Sequence, residues 1–589
     1  MVFGRRLNKY YLKYAPLFLI GAFVLLVIDY AQLEIPKIYR MLLLAVNTGF
    51  IDTGKTTPFT MQILLDKICL PMLIVIALML TGRFLWRICF FGAGVKTSEN
   101  LREEMFDHAR KLPQQFYSKS KVGNMMSLFT NDVSVIDEAV GWGVMMFFDA
   151  LFLGAMSVAN MIQVQPVLTL FCAIPLVLLL AAGIVLNRYL EKKWDIREQS
   201  FSDISDFAQE SFSGLAVVKA FVKETKELLA FKKLNVKHED ANVDFTKLSV
   251  AMRIIVTLFV ESVVSVILGV GGYLVYQKEI TAEYLVEFIG YFYTVVWPVM
   301  AISELVDIHS RGKASLKRIT ALLDEEPTVV DREGAVDAGV LGGKIEFKDL
   351  TFSYPEGRRV ILDHLSFTIE RGENVGIIGK IGSGKSTIMD LITRTYNVEK
   401  GTIFLDDKDV TDLTIESVRE NIAYVPQDNF LFSDTIANNI AFSADSVSQE
   451  DIERAARLAC VDGDIKEFPD GYATVLGERG VTVSGGQKQR ISIARALVKN
   501  APILMLDDSV SAVDTETERI ILDNLKSTRQ GKTTIVIAHR ITTVENLDKI
   551  IFLERGKLIA CGTHEQLVSS CEEYRKLVEL QKLEDEGAD

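Results

Sequence analysis

The sequence predicts an α-helical half built for a lipid bilayer, followed by an α/β half built for water. Three observations carry this. Residues 150–187 contain no charged side chain, a run too long for one crossing of a hydrocarbon core about 30 Å thick. Of the 141 charged residues, 69 fall in the first 340 positions and 72 in the last 249. From Lys344 onward, short apolar strands alternate with helical patterns around a glycine-rich turn.

The membrane elements follow in order. An opening stretch, Phe3–Tyr14, sets Arg5, Arg6, Lys9 and Lys13 among aromatics, which suits an interfacial elbow helix. Spans are expected at 15–45, 63–91, about 140–162, about 166–188, 250–277 and 282–303. Gln163-Val164-Gln165-Pro166 marks the tight turn between the third and fourth. Six crossings put both termini on one side. The short links carry few basic residues, whereas segments 94–138 and 188–249 are rich in Lys and Arg, so these two long segments belong in the cytoplasm. Both have helical periodicity with few Pro or Gly, so the membrane helices are expected to run on well past the bilayer.

Asp29, Asp149, Glu261 and Glu287 lie at apparent membrane depth. A charge there costs about 2.5–3.5 kcal/mol, so each needs a cavity or a partner. One reading is a substrate cavity favouring cationic or polar molecules, with Tyr291 and Trp297 of the sixth span supplying apolar contact. The other is structural pairing with Arg83, Arg87 or Arg253.

Composition excludes several classes. A net charge of -13 argues against a nucleic-acid binder, which needs a basic face. Six cysteines without C-x-x-C spacing exclude a disulfide framework and a zinc site.

The second half carries the chemistry. Gly379-Lys380-Ile381-Gly382-Ser383-Gly384-Lys385-Ser386 fits G-x-x-x-x-G-K-S, after the apolar strand Val375–Ile378 and before the helix opening at Thr387. The glycines let backbone N–H groups approach phosphates, and the helix N-terminus favours anions. Lys385 is expected at the β- and γ-phosphates of a bound nucleotide and the Ser386 hydroxyl on Mg²⁺. Ile503–Asp507 reads as a buried strand ending in an acid, with Asp507 holding Mg²⁺ through water.

Ser484-Gly485-Gly486-Gln487 resembles the LSGGQ signature of ABC transporters, with Val483 in its first position. Other motifs of that family follow the same order. Tyr354 is similar to the aromatic that stacks on adenine. Gln427 is similar to the glutamine that senses Mg²⁺ and the attacking water, Gly477-Glu478-Arg479-Gly480 to the exporter X-loop, Ser511–Asp514 to the D-loop, and His539 to the switch histidine. Segments Leu112–Val133 and Glu210–Phe221 resemble the two intracellular loops, which form coupling helices in this family. The resemblance implies an exporter-type half-transporter: a transmembrane domain over 1–312, a connector over 313–340, an ABC nucleotide-binding domain over 341–580 and an acidic tail over 581–589. It also implies a dimer in which the P-loop of each chain faces the signature of the other, with ATP between them.

One position departs from the family pattern. The residue after Asp507 is normally Glu and here is Asp508, shorter by one C–C bond, about 1.5 Å. Displacing a catalytic group by about 1 Å can cost on the order of 10²-fold. With an intact signature, this resembles the degenerate-site subunit of heterodimeric ABC multidrug exporters. The expected partner is a different half-transporter carrying the catalytic Glu, and the expected cargo is amphipathic small molecules. The expected location is the bacterial inner membrane, multi-pass, with the nucleotide-binding domain in the cytoplasm. A homodimeric lipid or peptide exporter and an ATP-gated channel or regulatory subunit are the alternatives.

Overall fold

A computed structural model of the chain describes residues 4–586, other than 53–55, 121, 356, 358, 445, 478–479, 481–482 and 512. The chain forms two compact units. One comprises Met1–Arg110 and Lys121–Glu325, the other Lys111–Ser120 and Glu326–Asp589.

The first unit is helical. After the elbow α1 (Arg5–Lys13) come α2 (Ala15–Thr48), α3 (Leu70–Ala109), α4 (Trp142–Val164), α5 (Pro166–Ser213), α6 (Glu224–Tyr276) and α7 (Ala282–Leu323). At 1.5 Å per residue α5 is about 72 Å long, more than twice the bilayer core, as the long basic loops require. Gln165 is extended and Pro166 opens α5, which makes the expected sharp turn. Two prolines inside helices face glycines on neighbours. A Cβ on Gly290 of α7 would sit 2.8 Å from Pro36 of α2, and one on Gly154 of α4 would sit 3.2 Å from Pro298 of α7. Small residues thus let the backbones approach closely where prolines interrupt the helices.

Among the described residues, five helices are long and apolar enough to cross a membrane, against six expected spans. The remaining expected span, 166–188, lies in α5, whose described apolar stretch covers only Pro166–Pro175. Two further expectations change. The elbow's basic residues engage the protein itself: Arg6 and Lys9 reach Glu104 of α3 at 3.2 and 2.6 Å, and Arg6 reaches Asp324 at 2.5 Å. And α7 continues to Leu323, beyond the expected domain end at 312, because Ile308, Leu316, Ile319 and Leu322 keep an apolar face buried.

The second unit is α/β. A four-stranded antiparallel sheet runs β2 (Leu362–Ile369), β1 (Ile345–Phe352), β4 (Ile403–Leu405), β5 (Lys408–Asp409). A six-stranded sheet runs β10 (Lys557–Gly562), β9 (Lys549–Glu554), β3 (Asn374–Gly379), β8 (Thr533–Ala538), β7 (Ile503–Asp507), β6 (Ile422–Val425), parallel except for β10. The strands β3, β7 and β8 are apolar on both faces, as fully covered parallel strands must be. The helices that matter for the site are α8 (Lys385–Ile392), α9 (Gly485–Val498), α10 (Thr515–Thr528), α11 (Ile541–Val544) and α12 (Glu572–Glu586). The short helix Gln114–Lys119, from the first expected coupling segment, belongs to this second unit, where Gln115 borders a cleft with Phe352 and Tyr396. The second segment forms helix Leu215–Ala220 in the first unit, with Phe212, Val217 and Phe221 exposed around it.

Candidate functional site

The chain between β3 and α8 makes a tight loop because its glycines tolerate what other residues do not. Gly384 sits at φ +94, and a Cβ there would fall 2.6 Å from Leu362. A Cβ on Gly379 would fall 2.2 Å from the Leu553 carbonyl. Lys385 is buried, and its Nζ donates to the carbonyls of Gly379 and Lys380 at 2.8 and 3.3 Å. Burial lowers its pKa, an effect opposed by the charges of Asp508 and Asp507. Lys380 turns outward toward Glu554, 3.5 Å away. Gly382 and Ser383 complete the loop, and the buried Ser383 Oγ has no hydrogen-bond partner among the described residues.

Parallel pairing places β3 and β7 on either side of β8, so the P-loop and the strand-end acid meet at one edge. Ser386 Oγ donates to Asp507 Oδ1 at 3.1 Å, and Tyr424 OH reaches Asp507 Oδ2 at 3.5 Å. Burial raises the Asp507 pKa. The Ser386 hydrogen bond opposes that and the Asp508 charge reinforces it. A hydroxyl and a carboxylate so placed are hard oxygen donors suited to Mg²⁺, and the orphaned Ser383 Oγ beside them suits a phosphate. The residues therefore fit Mg²⁺–ATP, in which the metal would neutralise phosphate charge. Asp390 of α8 lies behind this pair, its carboxyl pushed up to about 6 by burial and by Asp507.

The remaining expected residues surround this centre. Tyr354 OH bonds to Thr387 Oγ1 at 2.9 Å, and its ring meets Tyr396 edge-on at 5.0 Å. Gln427 is exposed just past β6. Asp508 has a left-handed backbone, φ +47, fixed by its N–H donating to the Ile537 carbonyl at 3.0 Å. Its Oδ2 lies 3.9 Å from His539 Nε2. Sequence reasoning missed Gln581, whose amide accepts from the Ile541 N–H and donates to the His539 carbonyl, both at 2.7 Å. The tail expected from 581 is thus part of α12. Its signal was the helical spacing of Tyr574, Leu577, Val578 and Gln581, on the face that packs into the core.

Ser484 caps α9: its Oγ accepts from the Gln487 N–H at 3.2 Å, and Gln487 Oε1 accepts from the Ser484 N–H at 3.0 Å. This capping box leaves Ser484 and Gly485 exposed at a helix N-terminus, with Gly486 partly buried behind them. Asp514 caps α10 through the Thr517 N–H at 2.9 Å. Glu478 and Arg479 of the expected X-loop and Ala512 of the expected D-loop lie outside the described residues.

Comparison with known proteins decides the family. The ABC transporter transmembrane region matches residues 18–299, and the ABC transporter model matches 362–511. The multidrug resistance-like ATP-binding protein MdlA of Escherichia coli K12 is 35% identical over 579 residues, covering 96% of this chain and 94% of the relative. The chain belongs to the ABC transporters. A probable multidrug resistance ABC transporter ATP-binding/permease protein, YheI of Bacillus subtilis 168, is 32% identical over 98% of this chain and 96% of its own length. A solved bacterial Atm1-family ABC exporter with ATP bound superposes with a TM-score of 0.76 at 26% identity, covering 98% of both chains. This ABC transporter is therefore an ATP-hydrolysing exporter half, a helical transmembrane domain followed by a nucleotide-binding domain. It is a multi-pass inner-membrane protein with that second domain in the cytoplasm.

Of the arginines expected to pair with the membrane acids, Arg83 acts electrostatically on Asp29 and Asp149, and the remaining contacts are ones the sequence did not indicate. Glu287 pairs with Arg40 of α2 at 3.0 Å and accepts from Tyr291 OH at 2.9 Å; Arg83, Arg87 and Arg253 are not its partners. Asp149 accepts from Trp297 Nε1 at 2.5 Å and shares a side-chain hydrogen bond with the buried Asp29. Glu261 is exposed on α6.

Proposed function

We propose that this chain is one half of a heterodimeric exporter of amphipathic small molecules. In it, the chain's own ATP site turns over slowly while its signature completes a competent site on a different partner. One observation carries the reading: the residue after Asp507 is Asp508, while the signature Ser484–Gln487 stays intact, with Ser484 and Gly485 exposed at the helix N-terminus. In this reading Tyr354 takes the adenine. The loop Gly379–Thr387, through Gly382, Ser383, Gly384 and Lys385, takes the phosphates. Ser386, Asp507 and Gln427 hold Mg²⁺, and Asp508 and His539 flank the γ-phosphate. Ser484, Gly485, Gly486, Gln487 and Asp514 face the partner's nucleotide. The multidrug names borne by the relatives from E. coli and B. subtilis support amphipathic cargo. A second reading, lipid export by a homodimer, draws on a relative named ATP-dependent lipid A-core flippase from Desulfotalea psychrophila, 34% identical over 92% of this chain.

The test is to purify the tagged chain from its native membrane and identify what copurifies. A second half-transporter with Glu after its strand-end Asp, in equal amount, is expected, and Ser484→Ala should remove most of the pair's ATPase. Recovery of homodimers alone, with full ATPase, would overturn the heterodimer and favour the lipid reading.

A further inference from the structure

The segment that carries His539 leaves β8 at Ala538 and turns into the four-residue helix α11. One side of α11 is packed: Ile541 and Val544 are buried in an apolar cluster with Tyr574 and Val578 of α12. The other side borders a cleft of about 840 Å³, lined from α10 by Glu518 and Arg519, from the segment itself by His539, Arg540 and Thr543, and from α12 by Gln581. Packing therefore holds α11, but the junction between His539 and α11 lies at the edge of open space. So short a helix cannot fix that junction itself, because the first N–H groups of a helix have no partner within it. Side chains from other elements must do so.

Two side chains reach it. Gln581 spans the junction: its Oε1 accepts from the Ile541 N–H and its Nε2 donates to the His539 carbonyl, both at 2.7 Å. Glu518, buried on α10, accepts from Thr543 Oγ1 further along α11 and is attracted by Arg540. The two halves of the Gln581 amide do different work. The acceptor caps α11, where Arg540 supplies no side-chain cap. The donor holds the peptide plane that follows His539. The plane before His539 begins at Ala538, the last paired residue of β8, opposite Ile378 of β3. With planar peptides fixed on both sides of its Cα, His539 has one direction for the root of its side chain. Displacing a catalytic group by about 1 Å can cost on the order of 10²-fold. Glu518 and the apolar cluster keep α11 in place by other contacts, so losing the donor alone moves His539 without unfolding the segment.

We infer that Gln581 is a positioning residue for His539: through the donor half of its amide, helix α12 sets how the imidazole meets the nucleotide. The inference rests on the placement of His539 beside the γ-phosphate proposed above and adds α12 to the parts that govern turnover.

The test uses the full chain in lipid nanodiscs, as purified with its partner. Vanadate traps the hydrolysed form of a photoreactive ATP analogue, and cross-linking then marks the chain whose P-loop held it. The trapping rate on this chain therefore reports its own site, whether the partner is a different chain or a second copy. Gln581→Glu keeps an oxygen for the Ile541 N–H and loses the donor. It is expected to slow trapping by about tenfold or more, with binding of the analogue before hydrolysis within about twofold, which also reports that the variant is folded. Gln581→Lys keeps a donor and loses the cap, so it should hold the trapping rate within about threefold while lowering Tm. On a His539→Ala background, Gln581→Glu should slow trapping no further, because the two residues act as one unit. Unchanged trapping in Gln581→Glu, a larger loss in Gln581→Lys than in Gln581→Glu, or losses that multiply with His539→Ala would overturn the positioning role. Full trapping in His539→Ala alone would instead sink the placement of His539 on which the inference stands.

Discussion

Asp508 Oδ2 and His539 Nε2 face each other across 3.9 Å, beyond hydrogen-bond reach, at the edge where the P-loop meets β7. The Asp508 backbone is pinned in the left-handed region by the Ile537 carbonyl, so the short side chain cannot advance by a backbone shift without breaking that bond.

Lengthening that side chain should restore reach at a price in stability. At φ +47 a Glu is strained by roughly 1 kcal/mol. Correct placement of a catalytic group can return about 10²-fold, or about 2.7 kcal/mol of barrier. Asp508→Glu should therefore lower the domain's Tm by about 2–4 °C and raise turnover at this site, read by calorimetry and a single-turnover ATP assay.

Ser484→Ala removes one arm of the capping box and should destabilise α9 by about 1 kcal/mol. Affinity of this chain's own P-loop for ATP should stay within twofold, while ATPase at the partner's site falls at least about tenfold. Ser484→Thr keeps the cap and should recover the stability. Nucleotide-binding isotherms beside steady-state ATPase separate the two effects.

Asp390 gives a pH dependence of definite sign. Its pKa in the folded domain is about 6, above the ordinary carboxylate value of 3.8, so the folded state binds the proton more tightly. Its contribution to stability is present at pH 4 and is lost as pH rises through about 6. Asp390→Asn should raise stability at pH 7.5 by about 1–2 kcal/mol and flatten the slope between pH 4 and 6 in thermal melts.

Gln581→Ala deletes the amide that ties α12 to the backbone at His539 and Ile541. The freed Ile541 N–H should exchange with solvent at least about tenfold faster, which amide hydrogen exchange reads directly. Unchanged exchange would mean that the switch segment is held by its other contacts.

Contiguous chemistry was legible in the sequence. The P-loop, the strand-end Asp507 and the signature each need neighbouring residues in fixed order, so their spacing survives in one dimension. Ser386 and Asp507 meet because β3 and β7 flank β8, an order the structure supplies. The interactions left unread join distant segments through single side chains. Arg40 and Glu287 come together because Gly290 admits Pro36 and draws α2 against α7. Glu104 gathers the elbow's Arg6, Lys9 and Tyr10 from nearly a hundred residues away. Gln581 looked like part of a solvated acidic tail until its helical face was placed against the core. Membrane acids marked a need for partners, but only the packing says which partners serve.

In the function proposed above, Asp508 makes this chain's own ATP site slow. The direct measurement is the ATPase of the purified chain alone in nanodiscs, as found and as Asp508→Asn and Asp508→Glu. Low turnover, little changed by Asn and raised by Glu, is the predicted result. Robust turnover abolished by Asp508→Asn would contradict it, showing that Asp508 serves as the catalytic carboxylate of a working homodimer.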